Sequence, residues 1–143
     1  MDITLNEEQE LIADTALAFA REHAPAARVR ELEAGDRGFD PAVWKKMVDM
    51  GWAASVLPEQ YGGAGLGLLE LSLVIESLGQ TSLPSPLFAC VAEAGLLLAD
   101  AADADQKSHW LPRIASGEAL LTVALLEGSG RPAPEDLACR LSP

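Results

Sequence analysis

The sequence predicts an all-α fold, an up-and-down helical bundle of about five to six helices with a short β segment at the carboxy-terminal end. Three observations carry that expectation. Helix-start signals recur along the chain, two segments are apolar at helical spacing around nearly their whole circumference, and a continuous apolar run of strand length comes only after Gly117. With 143 residues, 49% of them hydrophobic and 22% charged, the chain holds enough apolar material for a core of ordinary domain size.

The first helix starts behind Asn6, an N-cap with Gln9 three residues on and Glu7 and Glu8 where exposed amides favour acids. Ile12, Ala16 and Phe19 give it one broad apolar stripe, and Pro25 ends or kinks it. Residues 26–34 are good helix formers closed by Gly35. Asp40-Pro41 opens a third helix, lined by Val43, Trp44, Met47, Val48 and Met50, that stops at Gly51. A glycine-rich loop, Pro58-Glu59-Gln60-Tyr61-Gly62-Gly63-Ala64-Gly65, separates it from the first of the all-round apolar helices, residues 67–78. The second, residues 87–99 after Pro84-Ser85-Pro86, mixes large side chains with Ala89, Ala92, Ala94 and Gly95, which permit close helix contact. Asp103 with Gln106 is another capping pair, opening a helix that carries Trp110, Leu111 and Ile114, contains a kinking Pro112 and ends at Gly117. Residues 119–126 then read as a buried strand. A lone strand lacks partners, so further polypeptide is expected to complete it, and an isolated chain is expected to self-associate.

Twenty-two Asp and Glu against ten Lys and Arg give a formal charge of −12. That field repels phosphate backbones and anionic lipid surfaces, which disfavours nucleic-acid binding but leaves a local pocket for a small anion open. Cys90 and Cys139 are too few for a disulfide framework and read as reduced thiols. The acidic start carries no secretory signal and no apolar run reaches the ~20 residues of a membrane span, so the expected location is cytoplasmic.

Motifs with self-contained chemistry are absent: there is no paired Cys or His spacing for a metal, no phosphate-binding Lys loop and no GxSxG elbow. His23 and His109 lie far apart near charged neighbours and read as solvated or capping groups. The amides of Tyr61 to Gly65 offer a phosphate cradle, although a tight reversal between packed helices needs the same glycines. Glu93 is the only charged side chain between Gln80 and Asp100. A carboxylate there either reaches water through a gap or lines a pocket. Glu127 reads as a turn-stabilising residue.

Several segments, in order, resemble the amino-terminal part of the acyl-CoA dehydrogenase family. They are Leu5-Asn6-Glu7-Glu8-Gln9-Glu10-Leu11, Phe19-Ala20-Arg21-Glu22, Trp44-Lys45-Lys46-Met47, Met50-Gly51-Trp52 and, above all, Leu57-Pro58-Glu59-Gln60-Tyr61-Gly62-Gly63-Ala64-Gly65-Leu66. Ile75-Glu76-Ser77-Leu78-Gly79 and Trp110-Leu111-Pro112-Arg113-Ile114-Ala115-Ser116-Gly117-Glu118 extend the likeness. The resemblance implies a helical amino-terminal domain over residues 1–118 and the incomplete beginning of a middle β domain over 119–143, with a carboxy-terminal helical domain absent.

It further implies FAD as cofactor and an acyl-CoA thioester as substrate. Similar proteins remove the α-proton with a glutamate and pass the β-hydride to the flavin. That glutamate normally sits in the missing carboxy-terminal domain, so the resemblance assigns no catalytic residue here. The flavin-contacting turn aligns with Leu125, Leu126 and Glu127, where Leu126 replaces the usual hydroxyl and backbone contacts remain. The helix face carrying Ser85, Ala89 and Glu93 is the one that approaches the acyl tail in similar proteins. A homo- or hetero-oligomer is expected, with the electron acceptor open. Two alternatives share the fold: a non-catalytic subunit or interaction module of a heteromeric assembly, and a flavin-dependent oxidase or monooxygenase.

Overall fold

The computed structural model describes residues 4–124, 126 and 139, and they form a helical bundle. In chain order the helices are α1 (Glu7–His23), α2 (Ala26–Glu33), α3 (Pro41–Asp49), α4 (Leu68–Gln80), a π-helical segment (Phe88–Gly95) that runs directly into α5 (Leu96–Ala101), and α6 (Ala104–Ala115). A single 3₁₀ turn, Glu59–Tyr61, sits in the glycine-rich loop.

Local chemistry sets the starts. Asn6 and Gln9 form a reciprocal capping box on α1, with the Asn6 side chain accepting from the Gln9 amide at 2.9 Å. Asp103 and Gln106 repeat it on α6, at 2.8 Å. The Asp40 carboxylate accepts from the Ala42 amide at 2.9 Å, with Pro41 in the first turn of α3. Arg28 donates to Asp40 at 2.7 Å and holds its carboxyl below the ordinary range. Pro25 splits α1 from α2 as the sequence indicates. Pro112 lies inside α6, which continues past it to Ala115.

One core joins all the helices. Ala16, Phe19 and Ala20 of α1 meet Leu71, Val74 and Leu78 of α4, while Trp44, Met47, Trp52, Leu57, Leu87, Cys90, Val91, Leu111 and Ile114 fill the rest. Polar ties cross the α1–α4 interface at two levels. The Gln9 amide donates to Glu70 at 2.9 Å, and the Ser77 hydroxyl donates to the Ala13 carbonyl at 3.2 Å.

The structure departs from the sequence pattern in two places. The second apolar helix is π-helical over Phe88–Gly95, a widened turn that spacing alone does not reveal. Gly95 is where it closes on the core, since a Cβ there would stand 3.1 Å from Leu57 and 3.3 Å from the Cys90 carbonyl. The expected strand forms no ladder over 119–124, because a ladder needs a second strand and the described residues supply none. Its burial nevertheless alternates residue by residue from Gly117 to Ala124, the period of an extended chain.

Candidate functional site

The residues expected at the acyl-tail face lie where the chain enters and runs along the π-helical segment. Ser85 precedes it, and its hydroxyl accepts from the Leu87 amide at 3.4 Å, so it caps the entry turn. Ala89 and Glu93 stand four residues apart within the segment, close to one full turn in a helix bonded i to i+5. All three are half-buried. Phe88 beside them is 55% exposed, which leaves a large apolar ring on this side of the bundle.

Beyond them, an apolar cleft of about 280 Å³ opens between this helix and the chain that leaves the bundle. Its walls are Ala94, Leu97 and Leu98 on one side and residues 121–124 on the other. Ser85, Ala89 and Glu93 do not line it. A second cleft, about 430 Å³, lies between α1 and the glycine-rich loop and carries the carboxylates of Glu8 and Glu70 beside Leu11 and Leu66. Its acidic lining opposes a phosphate-bearing ligand, whereas the first cleft shows none.

The glycine-rich loop is a scaffold. Gly62 donates to the Glu59 carbonyl, Gly63 to Pro58, Ala64 to Ala54, Gly65 to Leu57 and Leu66 to Ser55, all within 3.2 Å. Five consecutive amides are therefore spent on the protein's own backbone, and none of them is left to hold an anion. Glycine is obligatory at 63, where a Cβ would collide with the Leu57 carbonyl, and favoured at 62, where φ is +84°. The structural alternative for this loop holds, and the phosphate cradle does not.

The histidines also take structural places. His23 packs edge-on against Phe19 at 4.4 Å with Lys46 3.4 Å away, and His109 faces Arg113 at 2.8 Å. Of the expected flavin turn, Leu125 and Glu127 lie outside the described residues; Leu126 is 63% exposed. The sequence gives Cys90 no role beyond that of a reduced thiol. The residue is fully buried and bonded to residues 119 and 121. Only its place inside an apolar helix hinted at a role.

The sequence pattern described as "Acyl-CoA dehydrogenase, N-terminal domain" matches residues 6–118. The chain belongs to the acyl-CoA dehydrogenase family. It is 36% identical over 125 residues to acyl-CoA dehydrogenase IpdE2 of Mycobacterium tuberculosis, covering 86% of this chain and 38% of that protein. Among solved structures it is similar to the ChsE4–ChsE5 complex of M. tuberculosis, with 30% identity and a TM-score of 0.83 over 92% of this chain and 36% of that one. An acyl-CoA dehydrogenase from Bacillus anthracis complexed with FAD matches at 25% identity and a TM-score of 0.76, over 87% of this chain and 21% of that one. The chain thus spans well under half the length of these relatives. The helical bundle is the family's amino-terminal domain, and no helix among the described residues is long and apolar enough to cross a membrane.

Proposed function

We propose that this chain is the amino-terminal part of an FAD-dependent enzyme that dehydrogenates an acyl-CoA thioester at its α and β carbons, and that its work is to wall the acyl pocket and help bury the flavin. The observation that carries the reading is the family match over residues 6–118, which places the apolar Phe88–Gly95 segment in a domain of known kind. Residues 1–118 form the helical domain, and 119–143 begin the middle β domain. Ala89 and Glu93, with Ser85 at the entry turn, face the acyl tail. Leu125, Leu126 and Glu127 form the turn that meets the flavin, Leu125 and Leu126 through backbone groups. FAD, when bound, supplies two-electron acceptance. The chain's part is to exclude water, which protects the reduced cofactor and strengthens a base brought by other polypeptide. No catalytic residue is assigned within it.

The test uses the protein expressed from its own gene, with whatever subunits co-purify. Bound flavin, bleached anaerobically by an acyl-CoA with an enoyl-CoA as product, is the expected result. Flavin that no acyl-CoA bleaches, but that turns over with oxygen, would replace this reading with an oxidase or monooxygenase; absence of flavin would overturn the cofactor assignment. Glu93→Gln should change the preferred acyl length if Glu93 lines the pocket, and unchanged preference removes it.

A second reading has specific support. The solved relative ChsE4–ChsE5 is described as a complex of two named chains. By analogy this chain belongs to a hetero-oligomer in which a companion supplies the base, and co-purification with a second acyl-CoA dehydrogenase-like chain is the expected result.

A further inference from the structure

We infer that the buried thiol of Cys90 takes the place of a neighbouring strand along the inner edge of residues 119–121, and so fixes the register in which the chain leaves the bundle. The alternation of burial from Gly117 to Ala124 puts Ala119, Leu121 and Val123 inward and Leu120, Thr122 and Ala124 outward. In an extended chain the N–H and C=O of alternate residues share one edge, so the groups of Ala119 and Leu121 lie together. Helix-borne partners occupy that edge. The Ala119 amide donates to the Arg113 carbonyl at 3.0 Å, the Cys90 thiol donates to the Ala119 carbonyl at 3.6 Å, and the Leu121 amide donates to the Cys90 sulfur at 3.4 Å.

Giving to one residue and accepting from the next but one is the pattern that a single residue presents in a parallel ladder. Here one side chain on a π-helical turn does it. Only the protonated thiol can serve both bonds, and burial pushes the Cys90 thiol above its ordinary value of 9.0, which keeps the proton on sulfur. Trp44 adds a tie upstream, its indole N–H reaching the Gly117 carbonyl at 3.5 Å. A slip of one residue would turn Leu120 and Thr122 inward and break both sulfur bonds. Over residues 119–121 a pairing strand would have to use the opposite edge, at Leu120.

The test is amide exchange in the full chain, with and without substitution at Cys90. Cys90→Val fills the space without polar bonds, and the Leu121 amide should exchange about three- to tenfold faster. The Ala119 amide, held by Arg113, should stay unchanged. Cys90→Ser, which keeps a donor and an acceptor, should restore much of the Leu121 protection. Equal loosening at Ala119 and Leu121, or none at Leu121, would overturn the inference. Should Cys90→Val not fold, the unaltered chain gives a second measure through alkylation by iodoacetamide. Cys90 should react only as fast as the Leu121 amide opens, far behind the exposed thiol of Cys139. Equal reactivity of the two thiols would sink the proposal. Neither measurement needs flavin, so a failure of the cofactor assignment leaves it standing.

Discussion

Helix α4 and the helix that runs from Phe88 to Ala101 are the two apolar rods of the bundle, and they are finished differently. Along α4 the hydrogen bonding is regular, and two of its polar groups are matched on α1, Glu70 by the Gln9 amide and Ser77 by the Ala13 carbonyl. The later helix opens into a π turn over Phe88–Gly95, spends Cys90 on the departing chain and leaves Glu93 half-buried. Both rods leave large apolar side chains exposed, Leu68 and Leu69 on α4 and Phe88 and Leu97 on the later helix, but the buried face of α4 is matched along one neighbour whereas that of the later helix is divided among several. The difference lies in what each packs against, since α4 has a long parallel surface in α1 whereas the second helix must serve Leu57, α6 and residues 119–121 together. Widened turns of this kind concentrate at functional sites, in keeping with the site proposed there.

Truncation of the closed interface sets the scale of that contrast. Leu71 of α4 is fully buried, so Leu71→Ala should cost about 2–5 kcal/mol, read from denaturant midpoints, whereas Phe88→Ala on the open side should stay within about 0.5 kcal/mol. Comparable losses would mean that the Phe88 side is covered as completely as the α1–α4 interface.

The same glycine-to-alanine change should have opposite signs in the two helices. At Gly95 the new methyl meets Leu57 and the Cys90 carbonyl, and Gly95→Ala should destabilise by about 1–3 kcal/mol. At Gly79 nothing lies within 4 Å, and Gly79→Ala should stabilise α4 by about 0.5–1 kcal/mol. Thermal midpoints of the two variants check this directly. Equal effects would remove the distinction drawn from the close approach.

The smallest effect concerns acid. The Gln9 side-chain hydrogen bond holds the Glu70 carboxyl below its ordinary 4.5, with backbone amides assisting. The folded value lies under the unfolded one, so this contribution is full above 4.5 and disappears as the pH falls through the lower folded value. Gln9→Glu keeps the reach back to Asn6 but sets a second carboxylate against Glu70. The variant should be less stable than its parent above 4.5, with the gap narrowing on acidification, as urea midpoints across that range would show.

Much of the fold was legible in the chain itself. Asn6 with Gln9, Asp40 with Pro41, and Asp103 with Gln106 all cap as their spacing indicates. The glycine-rich loop reads as irregular from its composition, but only the inward hydrogen bonds of the amides of Gly62 to Leu66 decide between its two uses. At the candidate site, the apolar spacing around Ala89 and Glu93 indicates a helix, and both residues lie in one. The π turn that presents them was not legible, because the identity of small apolar residues does not distinguish i to i+4 from i to i+5 bonding.

By itself the sequence determined where helices start and stop and which family the chain joins, because caps and breaks are settled between residues three or four positions apart. Tertiary structure alone decided that Cys90 would meet residues 119 and 121, and Gln9 would meet Glu70, across separations of 29, 31 and 61 positions. Such meetings depend on how whole helices pack, and a buried thiol or amide finds its partner only when the surrounding core fixes the distance.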